Sequence, residues 1–193
     1  MDVNQIRFAI FLAVFLLMLG LEYIIQRHPT VDVKTRRLKI NLALTGIDIL
    51  VVRLFFGAAA VGAAQFAGER GWGLFNYLQW PEGLETLFCV VFLDLMIYIQ
   101  HVVVHMIPFF WRFHIVHHSD LDLDVSSGLR FHPVEILGSM LFKIGLIFAL
   151  GPSAIAVLIF EAILNGMALF SHSNITLPES LDRLLRYVIV TPD

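Results

Sequence analysis

The chain reads as a series of apolar runs with short polar punctuation. Ile6 to Ile25, Ile40 to Ala67, Leu84 to Ile107, Ile136 to Leu150 and Ala154 to Phe170 are mostly aliphatic and aromatic, and Pro, Gly or charged residues separate them. A helix needs about 20 such residues to cross a hydrocarbon core of about 30 Å. The pattern therefore predicts an all-α, polytopic membrane protein with four to five hydrophobic helices. The first run lacks a basic leading region and a small-residue cleavage site, which makes it a retained span. The last two runs are joined only by Gly151, Pro152 and Ser153, and the fourth is short. They are expected to form a tight hairpin that enters and leaves by one face. No internal repeat divides the chain. Its chemistry is concentrated in residues 84–193, and residues 1–83 read as N-terminal transmembrane helices.

Composition strengthens this picture. Hydrophobic residues make up 58% of the 193 positions and charged residues 15%, too few charges for a soluble domain. A net charge of −3 with only 13 Lys and Arg provides no basic face, so no nucleic-acid partner is expected. The lone Cys89 excludes an intramolecular disulfide and a cysteine-based metal site, and reads as a small buried hydrophobe.

Charge also gives an orientation. Arg27, Lys34, Arg36, Arg37 and Lys39 follow the first run, whereas the loop from Gly68 to Gly83 sets Arg70 against Glu69 and Glu82. Positive residues stay on the cytosolic side. Alternation then places the Gly68 to Gly83 loop outside, and it places Pro108 to Glu135 and the tail with Arg183 and Arg186 inside. Trp72, Tyr77 and Trp80 fit an interfacial aromatic belt on the outer side.

Five of the eight histidines fall between His101 and His118, as HVVVH and HIVHH. Residues three or four apart share a helical face, so His101 and His105 can converge, and His114 with His117 and His118 likewise. Such a gathering of imidazoles near a membrane points to a metal site. Asp94, Tyr98, His101 and His105 follow one another at spacings of four, three and four, which lines a carboxylate and a phenol along the same face. Asp94 is roughly 10 Å of helical rise from His101, too far to share its metal. It is expected to orient Tyr98 or a ligand on another helix, although a plain interhelical hydrogen bond fits the same position. Downstream, GLRFHPVE brings Arg130, His132 and Glu135 to the start of the fourth run, with Pro133 suited to a first helical turn. His132 reads equally as a ligand or an outer residue, and Glu135 as a cap. His172, after the fifth run, is a further candidate ligand on the cytosolic side. Glu161 and Asn165 read as interhelical hydrogen-bonding residues.

An all-histidine set admits iron, zinc, copper or nickel, but six or seven imidazoles exceed the needs of one tetrahedral ion and point to two. In their order, HVVVH, HIVHH and RFHPVE resemble the fatty acid hydroxylase and sterol desaturase superfamily over roughly Leu84 to Asp193. Asp94, Tyr98 and the His172–Ser173–Asn174 segment are similar to its pattern as well. The resemblance implies two iron ions, or zinc in a purified form, with O2 as co-substrate. The implied chemistry is removal of hydrogen from an unactivated lipid C–H bond, leading to hydroxylation or desaturation of a sterol, fatty acyl or related lipid. It implies His101, His105, His114, His117, His118 and His172 as iron ligands. It also implies an external electron donor of cytochrome b5, ferredoxin or reductase type, in a bacterial inner membrane or the endoplasmic reticulum. Val102 stands where the family often has Arg. A third His-x2-His-His box is expected after a segment like VIVTPD, so the sequence reads as truncated before it. A membrane metal transporter or metal-binding protein is the main rival. It predicts ligands strung through the bilayer, whereas these cluster at one end. A haem electron carrier needs histidines facing across the bilayer.

Overall fold

The computed structural model describes residues 3–57 and 59–192. Among the described residues nine helices run in order: α1 (Val3–Ile24), α2 (Lys34–Phe56), α3 (Ala59–Arg70), α4 (Leu74–Leu78), α5 (Glu82–Met106), α6 (Pro108–His114), α7 (Pro133–Leu150), α8 (Ala154–His172) and α9 (Glu179–Leu185). Two 3-10 turns, His117–Ser119 and Ser127–Leu129, lie between α6 and α7. The described residues contain no strand, only a single antiparallel bridge between Gln26 and Ile175. The expected all-α class is borne out. Among the described residues five tracts are long and apolar enough to span a membrane: Gln5–Ile24, Lys34–Leu78, Glu82–Met106, Pro133–Leu150 and Ala154–His172.

The second apolar run differs from its expectation as one helix. Gly57 adopts the left-handed conformation at φ 57° and ends α2, and a separate α3 follows. A single helix over Ile40 to Ala67 would be about 42 Å long, well beyond a core of about 30 Å. A left-handed residue without a Cβ is the inexpensive place to break it. The Gly68 to Gly83 loop also contains a helical turn, α4.

The chain divides into two compact units. One comprises residues 1–45, 116–130 and 162–193. Phe15, Met18, Val125, Leu169 and Ile175 form its buried apolar core, with Phe11, Leu38, Leu129 and Leu177 packed around it. The segment after α8 is stitched to the segment after α1: the Thr176 N–H donates to the Ile25 carbonyl at 2.8 Å, and the Arg27 N–H to the Asn174 carbonyl at 3.2 Å.

The other unit comprises residues 46–115 and 131–161. His132 caps the N-terminus of α7 by accepting the Val134 N–H at 3.1 Å, and Pro133 occupies the first turn, where a missing N–H costs nothing. Gly151, at φ 64°, closes α7 and begins the expected hairpin turn. It also meets Gly73 backbone to backbone: a Cβ on Gly73 would fall 2.2 Å from the Gly151 nitrogen. The Asn76 amide spans this contact, donating to the carbonyls of Trp72 and Gly151. Between α7 and α8, the Lys143 ammonium donates to Glu161 at 3.2 Å, which gives Glu161 an interhelical role through a partner the sequence did not suggest.

Candidate metal centre

Two groups of imidazoles form, one in each unit. In the second unit α5 delivers His101 and His105 on one face, one helical turn apart. Ile107 then takes an extended conformation, and Pro108 opens the short α6, whose final residue is His114. The turn brings His114 back to α5. His105 Nε2 lies 3.1 Å from His101 Nε2 and 3.2 Å from His114 Nε2, and ring nitrogens of the three lie within 4.8 Å of one another. Imidazole nitrogens bind a first-row metal at about 2.1 Å, so two on the same ion stand about 3.0–3.4 Å apart. The observed spacing fits. Behind the group, buried His114 donates its Nδ1 proton to Glu135 Oε1 at 2.6 Å. This contact fixes the ring's orientation and leaves Nε2 unprotonated, as a metal ligand requires. Glu135 thus braces a histidine as well as standing in the first turn of α7.

In the first unit His117 Nδ1 donates to the Arg130 carbonyl at 3.1 Å, and His172 Nδ1 donates to the Ala168 carbonyl at 2.8 Å. A carbonyl can only accept, so each Nδ1 carries a proton, and in the neutral ring that binds a metal Nε2 is the donor atom. The two Nε2 atoms face each other at 2.9 Å. Two neutral rings so placed turn both lone pairs toward one point, so the donor set fits a metal ion. His118 is exposed, with its ring centroid 5.1 Å from that of His117.

The expected shared helical face of His114, His117 and His118 does not form. α6 ends at His114, and His117 and His118 lie in a 3-10 turn. His132 uses Nδ1 to cap α7, and its ring lies 5.1 Å from that of Phe113. Asp94 and Tyr98 keep their places along α5 but are exposed and make no hydrogen bond among the described residues.

A buried polar network missed by the sequence reading supports the His117–His172 pair. The Arg37 guanidinium reaches Asp120 at 2.7 Å and Asp124 at 2.8 Å, and it also donates to the Asp122 carbonyl and to Ser127. Burial alone would push the Asp120 carboxyl up. Hydrogen bonds from Arg37, Asn41 and Ser127 together with the Arg37 charge outweigh it and hold the group below the usual carboxylate range. The Arg130 guanidinium binds the Val116 carbonyl, Asn41 and Ser119. Residues 116–130 are therefore rigid where His117 leaves them. Glu22 on α1 is buried as well, with Lys34 at 2.7 Å. The sequence signal was present in Glu22, the lone carboxylate inside the first apolar run, where an ionisable group is functional by default. Arg37 had counted only as one of the positive residues of its loop.

The fatty acid hydroxylase family model matches residues 86–193. An alkylglycerol monooxygenase from Caenorhabditis elegans is 28% identical over 123 residues, covering 63% of this chain and 24% of that protein. An ornithine lipid hydroxylase, OlsE, from Rhizobium tropici is 31% identical over 101 residues, covering 50% of this chain and 29% of that protein. The chain thus spans 24% and 29% of the length of these two curated relatives. No solved structure matches it. The matched residues contain both histidine groups, Glu135 and the Asp120–Asp124 loop, and over that stretch the likeness seen in the histidine boxes holds: the chain belongs to the fatty acid hydroxylase family.

Proposed function

We propose that this chain holds two iron ions through its histidines and forms the metal-binding part of an O2-dependent membrane enzyme that oxidises a lipid C–H bond with electrons from an external donor. The observation that carries the reading is the pair of facing Nε2 atoms of His117 and His172, 2.9 Å apart, with a backbone carbonyl behind each ring. His101, His105 and His114 supply a second set of donors. Iron held by these imidazoles would supply O2 activation for C–H oxidation.

The protein's own contribution is to orient and to exclude water. Glu135, the Arg130 carbonyl and the Ala168 carbonyl each keep a proton on the far nitrogen of a ligand, so that the near nitrogen presents its lone pair. Along α5 and α6, Val102, Val103, Phe109 and Phe110 are exposed apolar side chains beside the histidines. They suit an apolar substrate arriving from the lipid phase. Asp94 and Tyr98, exposed on the His101 face of α5, are positioned to meet that substrate rather than to brace a ligand. The relatives are named as a monooxygenase and a hydroxylase of lipids, which favours hydroxylation over desaturation. The loop charges favour a cytosolic site, within reach of a soluble or membrane-anchored donor.

The test is metal content and O2-dependent lipid oxidation of the gene's full product, including any sequence encoded after Asp193. About two irons per chain and an oxidised lipid are expected. Tightly bound zinc or copper without oxidation would overturn the reading in favour of metal transport or storage.

A further inference from the structure

We infer that Glu22, on a helix outside the residues matched by the family model, is the positioning residue that sets the His117–His172 spacing. The inference rests on the proposal that this pair binds metal. Glu22 Oε1 accepts two backbone N–H groups from distant parts of the chain, Val125 at 2.6 Å and Asn174 at 2.9 Å. Val125 follows His117 and His118 in the 116–130 segment, and Asn174 is two residues beyond His172. One carboxylate oxygen therefore joins the segments that carry the two facing imidazoles. Its second oxygen accepts the Lys34 ammonium at 2.7 Å.

The surroundings make this junction stiff. Asn174 also pairs with residue 28 in both directions: its Oδ1 accepts the His28 N–H at 2.9 Å and its Nδ2 donates to the His28 carbonyl at 2.8 Å. On the other side, Ser126 Oγ donates to Asp124 at 2.6 Å, and Asp124 is paired with Arg37. A Cβ on Gly128 would meet the Ala168 carbonyl at 3.0 Å, so the 3-10 turn and α8 are already in close contact. Between these fixed segments, Glu22 is the only side chain among the described residues that hydrogen-bonds the backbone of both 116–130 and 172–176. A buried carboxylate is costly unless fully paired, and a hydrophobic residue packs more cheaply at an apolar helix position. Its use here is explained by the spacing it enforces.

The test is Co(II) binding to the purified full chain in detergent, followed by the visible ligand-field spectrum, in a His105→Ala background that disables the other histidine group. Glu22→Ala should weaken Co(II) binding about 10- to 100-fold, the effect usual for a residue that orients a ligand, and should change the spectrum while helical content is retained. Glu22→Gln keeps an oxygen acceptor at the same reach and should restore affinity to within about threefold. If Glu22→Ala is not recovered folded, Glu22→Asp carries the test. It keeps the charge but draws the oxygen back by one methylene, and the same weakening is expected. Unchanged affinity and spectrum in the folded Ala or Asp variant, with only a lower unfolding temperature, would overturn the inference. His117→Ala separates the two ideas: if it leaves Co(II) binding intact, the metal reading fails. If it abolishes binding and the Glu22 variants do not weaken it, the positioning role alone fails.

Discussion

The two histidine groups orient their imidazoles by different supports. His114 is oriented by a side-chain carboxylate, Glu135, whereas His117 and His172 are oriented by the carbonyls of Arg130 and Ala168. A carboxylate adds negative charge and strengthens the imidazole as a ligand, while a carbonyl contributes direction with little charge. The groups are therefore vulnerable to different changes. One can be weakened by a single side-chain replacement behind the ligand. No substitution removes a carbonyl, so the support of the other group yields only to changes that move the backbone.

The largest effect expected is from His117→Ala in the full-length protein, which removes a donor outright. Iron loading and product formation should fall together below detection, measured by elemental analysis and lipid product analysis. Retention of both would erase the distinction between the groups. Glu135→Gln should weaken metal binding by His101, His105 and His114 about 10- to 100-fold in a metal titration. The His117–His172 pair should keep its affinity, and equal losses at both groups would break the comparison. Gly128→Ala probes the carbonyl-supported group, because the added methyl presses on the Ala168 carbonyl and on the His172 Cβ. A displacement of a few tenths of an ångström should weaken its metal binding by less than about tenfold, with the three-histidine group unaffected.

Acid should weaken the network around the carbonyl-supported pair. The folded carboxyl of Asp120 lies below its ordinary value of about 3.9. Its stabilising contribution is then fully present above that ordinary value and is lost as pH falls toward the folded one. Asp120→Asn should lower stability at neutral pH and flatten the acid branch of a thermal unfolding series. An unchanged acid branch would remove Asp120 from the network. The smallest effect belongs to Phe131→Leu, a packing change beside His132 that should leave metal content as it was.

The apolar runs made the helical spans legible because a bilayer imposes length and hydrophobicity on each segment separately. They did not reveal the break at Gly57, since glycine within an apolar run signals its conformation only once the length limit forces a turn. The histidine boxes were legible as a gathering of imidazoles, and His101 with His105 stands as helical spacing predicts. His114 and His117 do not, because α6 is only seven residues long and ends where the box begins. The supports were the least legible part. Glu22, Arg37 and Asn41 act on a loop about 80 to 100 residues away in sequence, and no local pattern joins them to it. Nothing local to the DLDLD segment points to Arg37, which pairs with Asp120 and Asp124.

The sequence separations within the two groups also set an order of assembly. The three-histidine group, Glu135 included, closes over contacts no more than 21 residues apart once α5 and α6 have turned, whereas His117 meets His172 across 55. At synthesis rates of about 5–20 residues per second, His172 emerges several seconds after His117, and loop closure over the longer span is also entropically dearer. In a nascent chain the carboxylate-braced group can take up metal while the other is still an open half, so any shortage of metal during biogenesis would be felt first at the His117–His172 pair.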